Sequence, residues 1–408
     1  MKRRNFLRTA GRWLTAGAVS WLAPARAADS AWQPAALPDG ARASGVLDAL
    51  PGKVPMLKRS FRPPNYETPL EYFRTVLTPN DAFFVRWHHA NVPAPDVREW
   101  RLRIRGDAAA QPFDIDLARL RKEFELVSVT AVCLCAGNRR GLFQPHVPGV
   151  QWGVGAMGNA VWKGVRLRDL LARAGCRPGA VEVAFDGGDS GVLPTTPDFI
   201  KSLPLAKALD ENTLVALEMN GEPLPALHGF PARLVVPGWA ATYWLKQLTD
   251  IRVLSQPQGG FWMNPAYRLP AGLFPDAAPF PSQATSANAP VTDLMVNSLI
   301  VTPTNGLRVP RGTAVQVTGL AWDGGQGIRE VMVSTDGGNA WVQTSLGEDH
   351  GRFSFREFRH SFIPAVAGRW SILVRATNAR GDTQPVTLVH NPAGYHHNVM
   401  QSVDVEVA

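Results

Sequence analysis

Hydrophobic positions in the first two thirds of the chain follow two different periods. Asp116 stands where it can cap a helix whose apolar face is Leu117, Leu120 and Phe124, and residues 165–174 repeat that spacing before a stopping glycine, Gly175. Short β-branched runs at 127–132, 181–185 and 233–236 predict strands. This region therefore reads as mixed α and β.

The pattern changes after residue 270. Pro270, Pro275, Pro279, Pro281 and Pro290 are interspersed with alanine and serine, and both periodicities vanish, which marks a linker. Beyond it come short strands separated by glycine-rich turns, at 314–320, 328–334, 341–344, 370–376 and 403–407. The turn Asp336-Gly337-Gly338 predicts a hairpin. The expected class is α+β, with a mixed α/β domain over 28–283 followed by an all-β, immunoglobulin-like sandwich over 284–408.

Residues 1–27 read as an export signal rather than as part of the fold. Arg3 and Arg4 form a twin-arginine run, an apolar stretch too short to span a bilayer follows, and Ala25-Arg26-Ala27 is a small-x-small cleavage pattern. The expectation is a periplasmic protein exported by the twin-arginine route, with a mature start at Ala28 and no membrane anchor after cleavage. This leader also accounts for most of the formal charge. Its six basic residues leave only +2 of the +8 to the mature chain, which removes the bulk-charge case for nucleic acid and favours a local basic pocket for a small anion.

Three cysteines, Cys133, Cys135 and Cys176, are too few for a disulfide framework, and no Cys-x-x-Cys-His run is present to attach a c-type haem. Cys135 ends a predicted buried strand and opens the turn Ala136-Gly137-Asn138-Arg139-Arg140. Neighbouring guanidinium groups favour the thiolate, which can be a nucleophile or a ligand for a soft metal centre, while a simply buried thiol fits the local residues equally well. Cys133 is expected to be a free, packed thiol. His396 and His397 project differently and have no evident third ligand, so they are expected at the surface rather than on a metal.

The wider pattern resolves the role of Cys135. Cys-Ala-Gly-Asn-Arg-Arg resembles the molybdenum-ligand motif of the sulfite oxidase family, with Cys135 at the metal-binding position. Phe83-Phe84-Val85-Arg86-Trp87-His88 is similar to another family motif, with Trp87 where asparagine is usual. The segments 218–225, 228–233 and 235–238 look like those that cradle the pterin, Lys246 falls at the phosphate-binding lysine, and Ala266-Tyr267-Arg268 carries the tyrosine beside the metal. Residues 336–341 and 391–395 resemble the family's dimerisation domain. The matches run in order through nearly the whole mature chain.

The resemblance implies a molybdopterin cofactor with Cys135 as its protein ligand to molybdenum. It also implies cofactor contacts from Phe84, Arg86, His88, Asp189, His228, Arg233 and Lys246, although Asp189 stands in a Gly-Gly turn where aspartate is common anyway. The implied reaction is oxidation of sulfite to sulfate by oxygen-atom transfer at molybdenum. Arg86 and Arg140 would grip the anion, Tyr267 would donate near the reacting oxygen, and electrons would leave singly to a c-type cytochrome or similar acceptor. No haem is expected on this chain, and a homodimer is implied by the second domain. The competing readings are a sulfane dehydrogenase of a thiosulfate-oxidising complex, a sulfoxide-reducing molybdopterin enzyme, which usually lacks the sandwich, and a non-catalytic periplasmic binding protein.

Overall fold

The computed structural model describes residues 47–274 and 287–408, so the expected export signal and the middle of the expected linker lie outside the described residues. The first region is built from three sheets. Strands Met56–Ser60, Asn65–Glu67 and Val85–Arg86 belong to a small antiparallel sheet, whose register sets Asn65 opposite Arg86. A second sheet runs Lys201–Pro204, Glu182–Gly187, Leu248–Leu254, Leu102–Arg105 and Phe113–Ile115, with one parallel pairing, between Leu248–Leu254 and Leu102–Arg105.

The third sheet carries the chemistry. Leu126–Leu134 pairs residue for residue with Met157–Arg166, and that strand continues the sheet to Leu214–Met219 and Arg233–Val235. Exposure falls along Leu126–Leu134 until its last four residues are all buried, so the strand delivers Cys133 and the following Cys135 into the core. Around it Trp162 packs edge-on against Phe83 and Trp244, with ring centres 5.8 and 5.6 Å away. A fully buried side chain of this kind contributes about 1.5–3 kcal/mol.

Helices are few and short. Leu117–Glu123 is capped as expected, with the Asp116 carboxylate accepting from the Arg119 amide at 2.8 Å. The helix read over 165–174 begins only at Leu167 and ends at Ala174. Val165 instead finishes a strand, hydrogen-bonded between Leu126 and Val215, because a β-branched residue with a partner on either side is held by the sheet.

The second region is a two-sheet β-sandwich. One sheet orders Asn297–Thr302, Val315–Trp322, Arg356–Phe362 and Ser345–Leu346; the other orders Leu307–Val309, Gln401–Val407, Gly368–Asn378, Ile328–Ser334 and Val342–Gln343. The hairpin at Asp336 forms, pairing Val333 with Val342. Strands Asn297–Thr302 and Arg356–Phe362 were not read from the sequence; the latter is rich in charge and only its central Phe358 is buried. The two ends of the expected linker pair with each other as a ribbon, Arg268–Pro270 against Asn288–Pro290.

The two regions share one core. Trp322, Phe353 and Phe355 of the sandwich belong to the same buried cluster as Cys133, Cys135 and Trp162, and the Val132 amide donates to the Phe353 carbonyl at 2.9 Å. A buried ion pair ties this core to the small sheet. Glu67, 1% exposed, accepts from Arg59 at 2.5 Å and from the amides of Gly153 and Gly155, and so fixes the segment whose next residue, Ala156, accepts from the Cys135 amide. Removing one partner leaves a buried charge uncompensated. Glu67→Ala is therefore expected to lower stability by about 3 kcal/mol, read as a shift of the urea midpoint, whereas a surface variant such as Glu71→Ala moves it by about 0.5 kcal/mol or less.

Candidate active site

The residues that the sequence singles out converge on one cavity of about 530 Å³, counting its open mouth. Phe84, Arg86, His88, Cys135, His228, Arg233, Lys246 and Tyr267 all line it, together with Phe83, Ala136, Phe199, Leu227, Ala241, Thr242 and Trp244. They come from the small sheet and the residues flanking its strand Val85–Arg86, the end of the Cys135 strand, the turn Ala226–His228, the strand Arg233–Val235 and the loop after it, and the segments before Lys201 and Arg268. No carboxylate is among the described residues that form this wall.

Cys135 is 7% exposed, and its backbone is held on both sides: its amide donates to Ala156 and its carbonyl accepts from Asn138, both at 2.9 Å. Cys133 and Cys135 are both free thiols. Cys133 points behind the wall, where its sulfur accepts from Arg233 Nη2 at 3.3 Å and burial pushes its thiol up. That arrangement matches the packed thiol read from the sequence.

The adjacent arginines diverge. Arg139, with a left-handed φ of 67°, is fully buried and crosses into the sandwich to Asn297 Oδ1 at 2.8 Å and the Ser298 carbonyl at 2.7 Å; burial lowers it to about 9. Arg140 turns back beneath Gly137, where an added Cβ would stand 2.6 Å from its guanidinium carbon. Its Nε and Nη1 donate to the carbonyls of Ala393 and Val150 at 3.0 and 3.3 Å. Arg140 therefore supports the site from outside the cavity lining instead of presenting its fork as expected.

The cavity concentrates positive charge. Lys246 donates to the Arg86 carbonyl at 2.9 Å and lies 4.3 Å from the centre of the Trp87 ring, which replaces the usual asparagine and packs into a core with Met56, Tyr66 and Val85. Burial beside Arg233 lowers Lys246 to about 7. Lys53, for which the sequence offered no signal, contacts His228 Nε2 at 2.5 Å and is lowered by burial to about 7. Burial and these cations hold His228 well below the ordinary imidazole range, and burial with Arg86 and Lys246 does the same to His88. His88 is fixed by three aromatic or polar contacts: Phe199 stacked at 3.9 Å, Trp262 at 4.7 Å, and the Tyr267 hydroxyl 2.5 Å from Nε2. Tyr267 has a positive φ of 57°, a strained conformation for a bulky side chain.

Two further expectations are corrected. Asp189 is not in the cavity lining; its Gly187-Gly188 turn, pinned by Gly188 to the Gln247 carbonyl, aims it at His89 Nδ1, 3.2 Å away. His397 is 3% exposed rather than at the surface, wedged against Phe143 and lining a small space shared with His396 and Trp322. Burial lowers the two histidines to about 3 and 4. Adjacent polar residues gave no hint that this loop tucks between the two regions.

The residues fit an anionic, sulfur-coordinated cofactor. Arg233 is 5% exposed and its Nε has no partner, Arg86 and Lys246 share with it a described lining without an acid, and the Cys135 thiol stands in the same lining. Such a cluster is costly unless an anion with several acceptors sits in it. Molybdopterin, with its phosphate and dithiolene, has that chemistry.

Comparison with known proteins agrees. Residues 89–262 match the oxidoreductase molybdopterin-binding domain, and 288–408 match the Mo-co oxidoreductase dimerisation domain. The chain is 35% identical to mitochondrial sulfite oxidase of Rattus norvegicus over 88% of its own length and 67% of that protein's. It is 32% identical to sulfite oxidase of Arabidopsis thaliana over 85% of its length and 92% of that protein's. The sulfane dehydrogenase SoxCD from Paracoccus pantotrophus superposes with a TM-score of 0.73 at 27% identity, covering 87% of each chain. Fold and site thus define a molybdopterin-dependent oxidoreductase. The chain belongs to the sulfite oxidase family.

The charge cluster makes a pH-dependent prediction for cofactor-free protein. Because burial puts Lys246 and Lys53 at about 7, below their ordinary 10.5, the unfolded chain binds more protons above that pH. Stability should rise from about pH 7 to about pH 10.5 as these ammonium groups lose their protons, with the penalty fully present below pH 7. Denaturant unfolding should show this slope, a shallower one in Lys246→Met, and the largest stabilisation by inorganic phosphate at the acid end.

Proposed function

We propose that this protein is a periplasmic sulfite dehydrogenase that oxidises sulfite to sulfate and passes electrons one at a time to a c-type cytochrome. The observation that carries this reading is the single cavity whose lining brings a near-buried thiol, Cys135, together with Arg86, His88, Tyr267, Lys246, His228 and Arg233, with Lys53 in contact with His228. Arg86, His88 and Tyr267 suit a small oxyanion at a metal, and Lys246 and Arg233 suit a cofactor phosphate.

When bound, molybdopterin supplies molybdenum for two-electron oxygen-atom transfer. Cys135 would give the metal a protein sulfur, and its backbone, held on both sides, keeps that sulfur in place. Lys246 and Arg233 would hold the phosphate and charge of the cofactor, with Lys53 adding positive charge behind His228. Arg86 offers a planar cation to the substrate oxyanion. His88 is neutral at physiological pH because its charged form is disfavoured by burial and by Arg86, so one proton is shared between its Nε2 and the Tyr267 hydroxyl. That pair carries no net charge, and with the proton on Nε2 the Tyr267 hydroxyl is left to donate into the cavity. Phe199 and Trp262 restrict water on the outer side of His88.

A second reading, sulfane dehydrogenase, is favoured by the superposition on SoxCD, whereas the higher identity to sulfite oxidases favours sulfite. The sandwich and its matched dimerisation domain support a homodimer. The twin-arginine leader supports export with the cofactor already inserted.

Purified protein should carry about one molybdenum per chain and reduce ferricyanide and cytochrome c when sulfite is added, and Cys135→Ser should lower that activity at least about 1000-fold. Protein without molybdenum from replete cells would favour a binding module. Metal with turnover of a protein-bound sulfane but not of sulfite would establish the second reading. Cell fractionation should find the mature chain in the periplasm, beginning at Ala28.

A further inference from the structure

The loop Asn391-Pro392-Ala393-Gly394-Tyr395 leaves the sandwich and reaches the catalytic region. Asn391, 1% exposed, clasps it: its Oδ1 accepts from the Tyr395 amide at 3.0 Å and its Nδ2 donates to the Tyr395 carbonyl at 2.8 Å. Gly394 has φ +62°, and an added Cβ there would stand 2.7 Å from Arg140 Cγ and 2.5 Å from Val147 Cγ2, so the loop can press this closely only with glycine. Its neighbour Ala393 accepts from Arg140 Nε at 3.0 Å.

Tyr395 then stacks on Tyr267, with ring centres 5.6 Å apart and planes 12° from parallel. Each ring also has a cation over it. The Arg140 guanidinium carbon lies 5.1 Å from the Tyr395 centre, and Lys201 Nζ lies 5.4 Å from the Tyr267 centre while donating to the Trp262 carbonyl at 2.7 Å. Electron-rich ring faces attract both cations, so the contacts reinforce one another. The Tyr267 hydroxyl also meets His88 Nε2 at 2.5 Å and interacts with the Thr242 side chain.

We propose that Tyr395 is a positioning residue: anchored by Asn391 and Arg140, it fixes the ring of Tyr267 and so tunes the affinity of the cavity for a small oxyanion. Arg140 acts through this stack, with its Nε and Nη1 held by backbone carbonyls. The proposal rests on the reading that an oxyanion binds beside Cys135.

The test compares full-length holoprotein with Tyr395→Phe and Tyr395→Leu, measuring kcat and KM for sulfite and, separately, the Kd for sulfate by isothermal titration. Molybdenum content and melting temperature report folding. Tyr395→Leu should raise both KM and the sulfate Kd about tenfold with kcat changed less than about threefold, while Tyr395→Phe, which keeps the stack, stays within about twofold. An unchanged KM and Kd in Tyr395→Leu, or equal damage in Tyr395→Phe, overturns the proposal. Should the leucine variant lose molybdenum, Arg140→Lys must give the same rise in sulfate Kd, since it keeps the charge but loses the planar face over Tyr395; an unchanged Kd there is likewise fatal. If wild-type protein binds sulfate but leaves sulfite unoxidised, the functional reading falls while the Kd comparison still decides the role of Tyr395.

Discussion

Like charges brought together out of water repel one another and lose hydration, and this cost shapes the molecule. Lys246, Arg233 and Arg86 line one cavity whose described lining holds no carboxylate, and Lys53 stands against the lining residue His228. The fold moderates the cost internally. Backbone carbonyls of Asn80, Phe83, Arg86 and His228 accept from the cations, the faces of Trp87, Trp162 and Trp244 lie under two of them, and the histidines stay neutral. What remains uncompensated is the driving force for taking in an anionic cofactor.

The scaffold holds that arrangement rigidly. The strand leading to Cys135 pairs along its whole length with Met157–Arg166, the Glu67–Arg59 pair pins the segment that follows the Cys135 turn, and Trp162 seals the region behind the cavity. Flexibility at the thiol would let the charges relax towards solvent. A close-packed wall denies them that route.

Much of this was legible in the sequence because it depends on local order. The Cys135 turn, the Phe83–His88 run, Lys246 and Tyr267 each carry a motif, and the cavity gathers them as their order suggested. The capped helix after Asp116 and the hairpin at Asp336 were also legible, since caps and Gly-Gly turns are decided within a few residues. What escaped is non-local. Lys53 reaches His228 across 175 residues with no motif around it. Asp189 and Arg140 sit in the expected segments, but neighbouring turns and carbonyls redirect their side chains. His397 seemed a surface residue because burial there comes from the docking of the sandwich, which periodicity does not report. Val165 was misassigned since one valine fits a helical spacing as well as a strand.

The shared core has a consequence for how such chains can be recombined. The two family domains meet between residues 262 and 288, yet hydrophobic contacts, the Val132–Phe353 hydrogen bond and the Arg139 bridge to Asn297 and Ser298 ignore that border. Units of inheritance and units of packing are thus different here. A sandwich grafted from a cousin would arrive with a foreign Trp322, Phe353 or Asn297 counterpart beneath the cysteine turn. Successful chimaeras must therefore exchange both sides of the junction together, and substitutions on the two sides are expected to drift as correlated pairs.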